Sequence, residues 1–148
     1  MISRKNIAEI RQDIRAEIEN KLNDAKGNDL IDVKTIVYGD AVDVNNLKLP
    51  AVWILPLPHK PDLKTGHSVV HDFTFSFISL VKEYKTEKGA ERAEDLNARV
   101  YDVLIKDRSL NKTVYDVFPV EFNPGESGFD DDVYLARFDM AFRLQRRE

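Results

Sequence analysis

The stretch HDFTFSFISLV at residues 71–81 constrains the fold of this chain more than any other. Phenylalanine occupies three alternate positions, and Asp72, Thr74 and Ser76 lie between and before them. A period of two is explained by a β-strand and not by a helix. One face of this strand is therefore predicted to be apolar and to face a core, whereas the other faces water or a partner.

Two further segments have the spacing of amphipathic helices. Apolar residues recur every three or four positions at about residues 4–25, with Ser3 as the expected N-cap, and again within residues 86–110. Such a stripe packs one side of a helix on a core. The predicted core stripes are Ile7, Ile10, Ile14, Ile18 and Leu22 in the first helix and Ala93, Leu96, Val100, Val103 and Leu104 in the second.

Four more strands complete the expected secondary structure. They are IDVKTIVYGD (31–40), LPAVWILPLP (49–58), TVYDVFPVEF (113–122) and VYLARFDMAFRL (133–144). The order is α-β-β-β-α-β-β, and no linker or repeat divides it. The sequence therefore predicts a single α+β domain over residues 1–148, with an antiparallel or mixed sheet of about five strands and both helices packed on one face.

Composition excludes several classes of protein. The chain has no cysteine, so disulfide scaffolds, thiolate zinc sites, iron–sulfur clusters and cysteine nucleophiles are ruled out. No apolar run approaches the ~18 residues that a membrane span needs. A net charge of −4 gives no global basic field for binding DNA or RNA. Neither a membrane nor a directly bound nucleic acid is an expected partner.

All three histidines lie close together in sequence, at His59, His67 and His71. A strand beginning at His71 places it roughly 13 Å from His67, too far for both to bind one ion directly. The favoured interpretation is exposed loop histidines. The alternative is a metal site completed by Asp62 and Asp72. We expect no catalytic residue, no metal and no cofactor, and hence no enzymatic activity.

Two charged segments are candidate contact surfaces. The predicted loop at 123–132 is acidic and the C-terminus is basic. Either can be a solvated surface, and the acidic segment lacks the ligand spacing of a calcium loop. Alternatively, they contact a partner or each other in two copies of the chain. The candidate residues are Glu126, Asp130, Asp131, Asp132, Arg143, Arg146 and Arg147.

The last strand also points to self-association. Its outward positions begin apolar, with Val133 and Leu135, and then become charged. A mixed outer face indicates that part of the sheet is covered. The simplest hypothesis is that a second copy of the chain covers this part of the sheet.

Five segments carry a resemblance to a known family. They are the N-terminal helix, VYGDAVDVNNLKLPAVWILPLP, HDFTFSFISL, the helix AERAEDLNARVYDVLIKD and the final strand VYLARFDMAFRLQ. In order, length and turn placement they resemble the tail terminator, or tail completion, proteins of long-tailed bacteriophages and related archaeal viruses. The likeness spans nearly the whole chain.

The resemblance implies a structural role in a virion. Such subunits form a ring, commonly a hexamer, at the head-proximal end of the tail tube and join it to the neck. The implied partners are further copies of the chain, the tail tube protein and a neck or connector protein. The implied location is the tail or neck of a virion assembled in the host cytoplasm. The alternatives are a neck or head-completion protein, a small non-viral regulatory or ligand-binding module, and an enzyme built on the histidines.

Overall fold

The computed structural model describes residues 5–84, 86–128 and 132–148. Its elements follow the predicted order, with one very short strand added. They are α1 (Ile7–Ala25), β1 (Thr35–Tyr38), β2 (Ala51–Pro56), β3 (Asp62–Leu63), β4 (Ser68–Lys82), α2 (Thr86–Ile105), β5 (Asp116–Ser127) and β6 (Val133–Arg147). The predicted α+β class is confirmed. Among the described residues, no helix has both the length and the apolar composition needed to cross a membrane.

The strands form one mixed sheet in the order β1-β2-β4-β6-β5, with β3 paired to β4. β1 and β2 are parallel, and every other pairing is antiparallel. The parallel pair requires a crossover, which residues 39–50 provide as a connector containing the short 3-10 turn Val44–Asn46. β1 and β5 are consequently the two edges of the sheet.

The centre of the sheet is the long antiparallel pairing of β4 with β6. Every residue of both strands is paired, from Ser68 opposite Arg147 to Lys82 opposite Val133. This register places the phenylalanines of both strands on one face, because side chains alternate along a strand. All of them are fully buried, as the sequence pattern predicted for the three in β4: Phe73, Phe75, Phe77, Phe138 and Phe142.

Both helices cover this phenylalanine face. All ten predicted stripe residues lie in the core except Ile7, which is partly buried against it. α1 begins with a capping box. The Glu9 backbone N–H donates to Asn6 Oδ1 at 2.9 Å, and the Asn6 N–H donates to Glu9 Oε1 at 3.3 Å. The cap is therefore Asn6, whereas the predicted cap, Ser3, lies outside the described residues.

β5 is longer than the sequence suggested. The predicted strand ended at residue 122 and was followed by a loop at 123–132, but β5 continues to Ser127. Its pairing with β6 is interrupted between Pro119 and Glu121 and again between Asn123 and Glu126. Proline is tolerated here because the strand is an edge, and bulges absorb the extra residues. The prediction of a long acidic loop was therefore wrong for residues 123–127, which are half of its length.

The opposite face of the sheet carries a second apolar cluster. Val133 is buried there in a cluster against which Val44, Leu47 and Leu49 of the 39–50 connector pack. The chain thus covers the apolar start of β6 by itself, and the expectation that a second copy does so was wrong at Val133. Leu135 is only half-buried. Self-association itself stays a prediction.

Gly125→Ala should destabilise the fold, because β5 passes very close to α2 at this position. A Cβ atom on Gly125 would lie 2.2 Å from the carbonyl oxygen of Ala90, which is backbone and cannot turn away. We expect a loss of about 1–3 kcal/mol, the usual cost of overpacking, measured by urea denaturation. Gly27→Ala is the matched control, since its nearest neighbour would be 3.8 Å away. Equal stability of the two variants would contradict the expectation.

Candidate functional site

Strand parity buries one of the histidines. His71 and Phe73 are two residues apart in β4, so their side chains point to the same face of the sheet. The His71 ring therefore lies on the helix-covered face and is only 4% exposed. The connector after β2 brings His59 against it, with ring centroids 5.4 Å apart. The His59 ring also packs on Phe73, at 4.4 Å between centroids. The two histidines therefore form a partly buried pair beside the aromatic core.

Hydrogen bonds connect this pair to both ends of the chain. Arg11 Nη2 of α1 lies 2.7 Å from His59 Nδ1, His59 Nε2 lies 3.2 Å from His71 Nδ1, and His71 Nε2 lies 3.0 Å from Glu148 Oε2. A guanidinium only donates, so His59 accepts at Nδ1 and donates from Nε2. His71 then accepts at Nδ1 and donates from Nε2 to Glu148. Each group of the network therefore donates to the next, from Arg11 through His59 and His71 to Glu148.

The environment of the network favours this arrangement. Burial is the main cause that lowers the pKa of His59 below its ordinary value of 6.5, and the charges of Arg11 and His71 lower it further, against a raising effect of Asp72. The hydrogen bond from His71 is the main cause that lowers the pKa of Glu148. A neutral His59 and an ionised Glu148 are the forms that the hydrogen bonds require.

The expectation of exposed loop histidines is thus wrong for His71 and for the half-buried His59, and holds for the exposed His67. The signal was present in the sequence, since His71 continues the alternation of the phenylalanines. All four ring nitrogens of His59 and His71 have protein partners. Within the part of the chain that the structure describes, no three His, Asp or Glu residues are grouped to hold a metal ion.

Two of the three candidate arginines have partners within the chain. Arg143 Nε and Nη2 donate to both carboxylate oxygens of Asp72, at 2.8 and 2.9 Å, and its guanidinium lies over the Phe118 ring. Arg146 donates to the Lys5 carbonyl at 2.8 Å and to Glu148 Oε1 at 3.0 Å. These contacts fasten β6 to β4, β5 and the segment before α1. The sequence missed them because their partners are distant in the chain.

Arg147 differs from the other two arginines. It is exposed, and within the described part of the chain it makes no ion pair. It lies at the end of β6, opposite Ser68. Of the basic candidates, Arg147 therefore has the charged group most available to a partner.

The two described acidic candidates, Glu126 and Asp132, lie near the opposite end of β6 from Arg147. Glu126 is exposed on β5 opposite Leu135. Asp132 is half-buried, with Oδ2 3.6 Å from Lys82 Nζ. Asp130 and Asp131 lie outside the described residues. The twelve intervals from Leu135 to Arg147 span roughly 40 Å, so the acidic and basic segments of one chain do not meet. Their role as contacts between copies stays a prediction.

The edge strand β5 presents apolar side chains that the sequence analysis did not single out. Val120 and Phe122 are 58% and 57% exposed, and Tyr115, just before the strand, is 77% exposed. The sequence pattern alone does not reveal this exposure, because it depends on β5 having no neighbour on one side. Exposed apolar groups of this size mark candidate contact surfaces.

A cleft lies between this edge and α2, and we call it the Tyr101–Phe122 cleft. The two rings meet edge to face, 5.2 Å apart. The cleft has a volume of about 420 Å³ and is also lined by Ala98, Pro124, Glu94 and Asp102. No lysine or arginine is among its described lining residues. It can accept an apolar side chain from a segment that carries positive charge.

A different surface, the Leu63 hairpin, is formed by residues 60–68. It lies on the side of β4 that faces away from β6 and the β5 edge. β3 pairs with the start of β4, and Leu63 is 74% exposed. Lys60 and Lys64 flank it, and Lys64 Nζ lies 2.7 Å from Asp62 Oδ2. The β5 edge is thus apolar and acidic, whereas the hairpin on the other side is apolar and basic.

His59→Gln should reduce the pH dependence of stability in the pH range just below 6.5. A depressed histidine pKa means that the unfolded chain binds more protons below 6.5, so stability falls as the pH is lowered through this window. One proton changes stability by at most about 1.4 kcal/mol per pH unit, and partial exposure keeps the change below that limit. Glutamine can accept from Arg11 and donate to His71 without titrating.

Thermal unfolding at a series of pH values measures this dependence. The exposed His67 has no side-chain hydrogen bond within the described residues, so His67→Gln should keep the wild-type profile. Identical profiles for the two variants would show that His59 does not titrate in this window.

Among solved structures, the fold is similar to that of a virion protein. A chain from the virion of a native gene transfer agent (GTA) particle has a TM-score of 0.48 and 18% identity, covering 88% of this chain and 93% of that chain. No family profile matches the sequence, and no curated protein matches it. A likeness at this level does not assign a function.

Proposed function

We propose that this chain is a structural virion protein, a tail terminator-like subunit that forms a ring at the head-proximal end of a tail tube and joins it to the neck. The observation that carries the proposal is the difference between the two sides of the sheet. The β5 edge exposes Val120 and Phe122 beside carboxylates, and the Leu63 hairpin on the other side exposes a leucine beside lysines.

Unlike surfaces on one subunit favour head-to-tail contacts. A heterologous contact joins one patch to a different patch of the next copy, and it produces a ring when the rotation closes. Two copies joined through the same patch would instead form a two-fold dimer. The separation of acidic and basic groups along β6 supports the same arrangement, because Glu126 and Arg147 cannot meet within one chain.

The element order supports the choice of family. The resemblance to tail terminator proteins rests on the order α-β-β-β-α-β-β, and the structure has this order apart from the short β3. The histidine network and the Arg143 and Arg146 contacts serve the packing of the chain, which suits a structural protein rather than an enzyme. In this proposal the remaining faces of the ring meet the tail tube protein and the neck connector, in a virion assembled in the host cytoplasm.

A second candidate function is a small ligand-binding module. The Tyr101–Phe122 cleft favours it, since about 420 Å³ falls within the range of small-molecule pockets. In that case the cleft would bind an apolar cationic compound, and the purified chain would remain a monomer. A neck or head-completion protein would form a ring as well, so only its partner distinguishes it from a tail terminator.

The purified protein should form a closed oligomer. Light scattering coupled to size exclusion, over protein concentrations from micromolar to near-millimolar, should give a mass several times that of the 17.0 kDa chain. Negative-stain electron microscopy should then show rings. A chain that stays monomeric throughout this range, with no particle visible, would overturn the ring and favour the ligand-binding module.

The tail role has its own measurement. Co-expression with the tail tube protein of the same virion should yield short capped tubes, whereas the tube protein alone should polymerise to variable length. Tube lengths can be measured by electron microscopy. Rings that leave tube length unchanged and bind the connector alone would identify a neck component instead.

A further inference from the structure

We propose that the Leu63 hairpin of one copy docks into the Tyr101–Phe122 cleft of the next copy. This contact rests on the proposed ring function and specifies which surfaces meet. The two surfaces lie on different sides of the sheet, since β3 extends from the β2 side of β4 and β5 is the far edge beyond β6. A chain of such contacts therefore runs in one direction from copy to copy.

The hairpin is built to present its leucine. Asp62 and Leu63 pair with Val70 and Val69, and the Lys64 backbone N–H donates to the Ser68 carbonyl at 2.7 Å. The turn is closed by Gly66 with a φ of 72°, in the left-handed region that glycine adopts at little cost. Leu63 is nevertheless 74% exposed. A fixed backbone lowers the entropy lost when such a side chain docks.

The cleft offers Leu63 an aromatic surface. Tyr101 and Phe122 form two walls, and both rings also contact the buried Phe138, at 5.5 and 5.9 Å. Because Phe138 belongs to the central strand β6, these walls are supported by the core. Phe122 is still 57% exposed, so docking of a leucine would remove apolar surface of both partners from water.

Charge complementarity selects the hairpin as the occupant of the cleft. Lys60 is exposed and makes no ion pair among the described residues. Counting Lys60, Lys64 and Asp62, the hairpin has a net charge of +1. On the other side, Glu94 and Asp102 line the cleft and no lysine or arginine is among its described lining residues, although Glu94 Oε1 accepts from the Gly125 N–H and Asp102 also borders a cavity lined by Arg99 and Lys106. Opposite charges at the rim of a contact guide association and fix its orientation.

The β5 edge also excludes the simplest competing contact. An open edge strand can add a strand from a second chain. Pro119 and Pro124 have no N–H, and the two bulges interrupt the strand at these positions. Continuous strand pairing is therefore unfavourable. A partner at this edge has to bind through side chains. The Tyr101–Phe122 cleft offers a concave site for it that no lysine or arginine lines, whereas the neighbouring cleft along β5 contains Arg137.

Disulfide trapping tests the contact directly, because the chain has no cysteine of its own. Leu63→Cys and Ala98→Cys each introduce one small thiol, on the hairpin and on the α2 wall of the cleft. Both positions are exposed, so neither change disturbs the core. The two variants, one with a size tag, are mixed in equal amounts, oxidised and separated by non-reducing electrophoresis.

The expected result is a disulfide-linked heterodimer that forms roughly tenfold faster than either homodimer, because the docked sulfurs lie within bonding reach. Lys48→Cys mixed with Ala98→Cys is the control. Lys48 is exposed and has no side-chain partner among the described residues. This pair should form heterodimer no faster than homodimer.

Charge reversal provides an independent measurement. Lys60→Glu should weaken self-association roughly tenfold, and so should Asp102→Lys. The chain carrying both changes should associate as the wild type does, whereas Lys48→Glu should have no effect. Sedimentation velocity measures each association constant.

The outcomes separate the contact from the ring. A closed oligomer that gives no selective cross-link and is indifferent to both reversals would overturn the docking contact and leave the ring standing. A chain that is monomeric at every concentration would overturn both proposals. Selective trapping together with rescue by the double reversal would establish the contact.

Discussion

The fifteen-residue pairing of β4 with β6 is the interaction on which the rest of the structure depends. Because every residue of both strands is paired, one register decides the side of the sheet on which each side chain lies. A slip of one residue in β6 would exchange its two faces, and Phe138 and Phe142 would leave the core. The helices and the connector pack against the two faces that this register defines, and the other strands extend the same sheet on either side.

The same register explains why the charged groups near the end of β6, apart from Arg147, have partners within the described chain. It places His71 on the core face, where a buried ring needs hydrogen-bond partners, and Asp72 on the other face, directly opposite Arg143. Glu148 satisfies His71, and Asp72 satisfies Arg143. Both faces of the sheet are therefore fastened at this end. What remains available for assembly lies at the two sides of the sheet.

The sequence predicted those features that depend on local periodicity. The helices, the long central strands and the buried phenylalanines follow from spacing alone. The pairing of His59 with Arg11, the parallel β1–β2 pair and the cover over Val133 depend on segments that meet only in three dimensions. β5 extends beyond its predicted end at residue 122 because an edge strand with a bulge accommodates Pro124. The candidate site was missed for a related reason, since exposure of Phe122 follows from its position at an edge.

The unlike sides of the sheet also limit how copies can associate. If two β5 edges met about a two-fold axis, Glu121 and Glu126 of each copy would lie near the same carboxylates of the other. Such like-charge contacts oppose association. Two Leu63 hairpins meeting each other would similarly bring lysines together. Only a contact between different sides joins apolar groups without repulsion, so the charge distribution of this chain favours a directional, head-to-tail assembly over a symmetric pair.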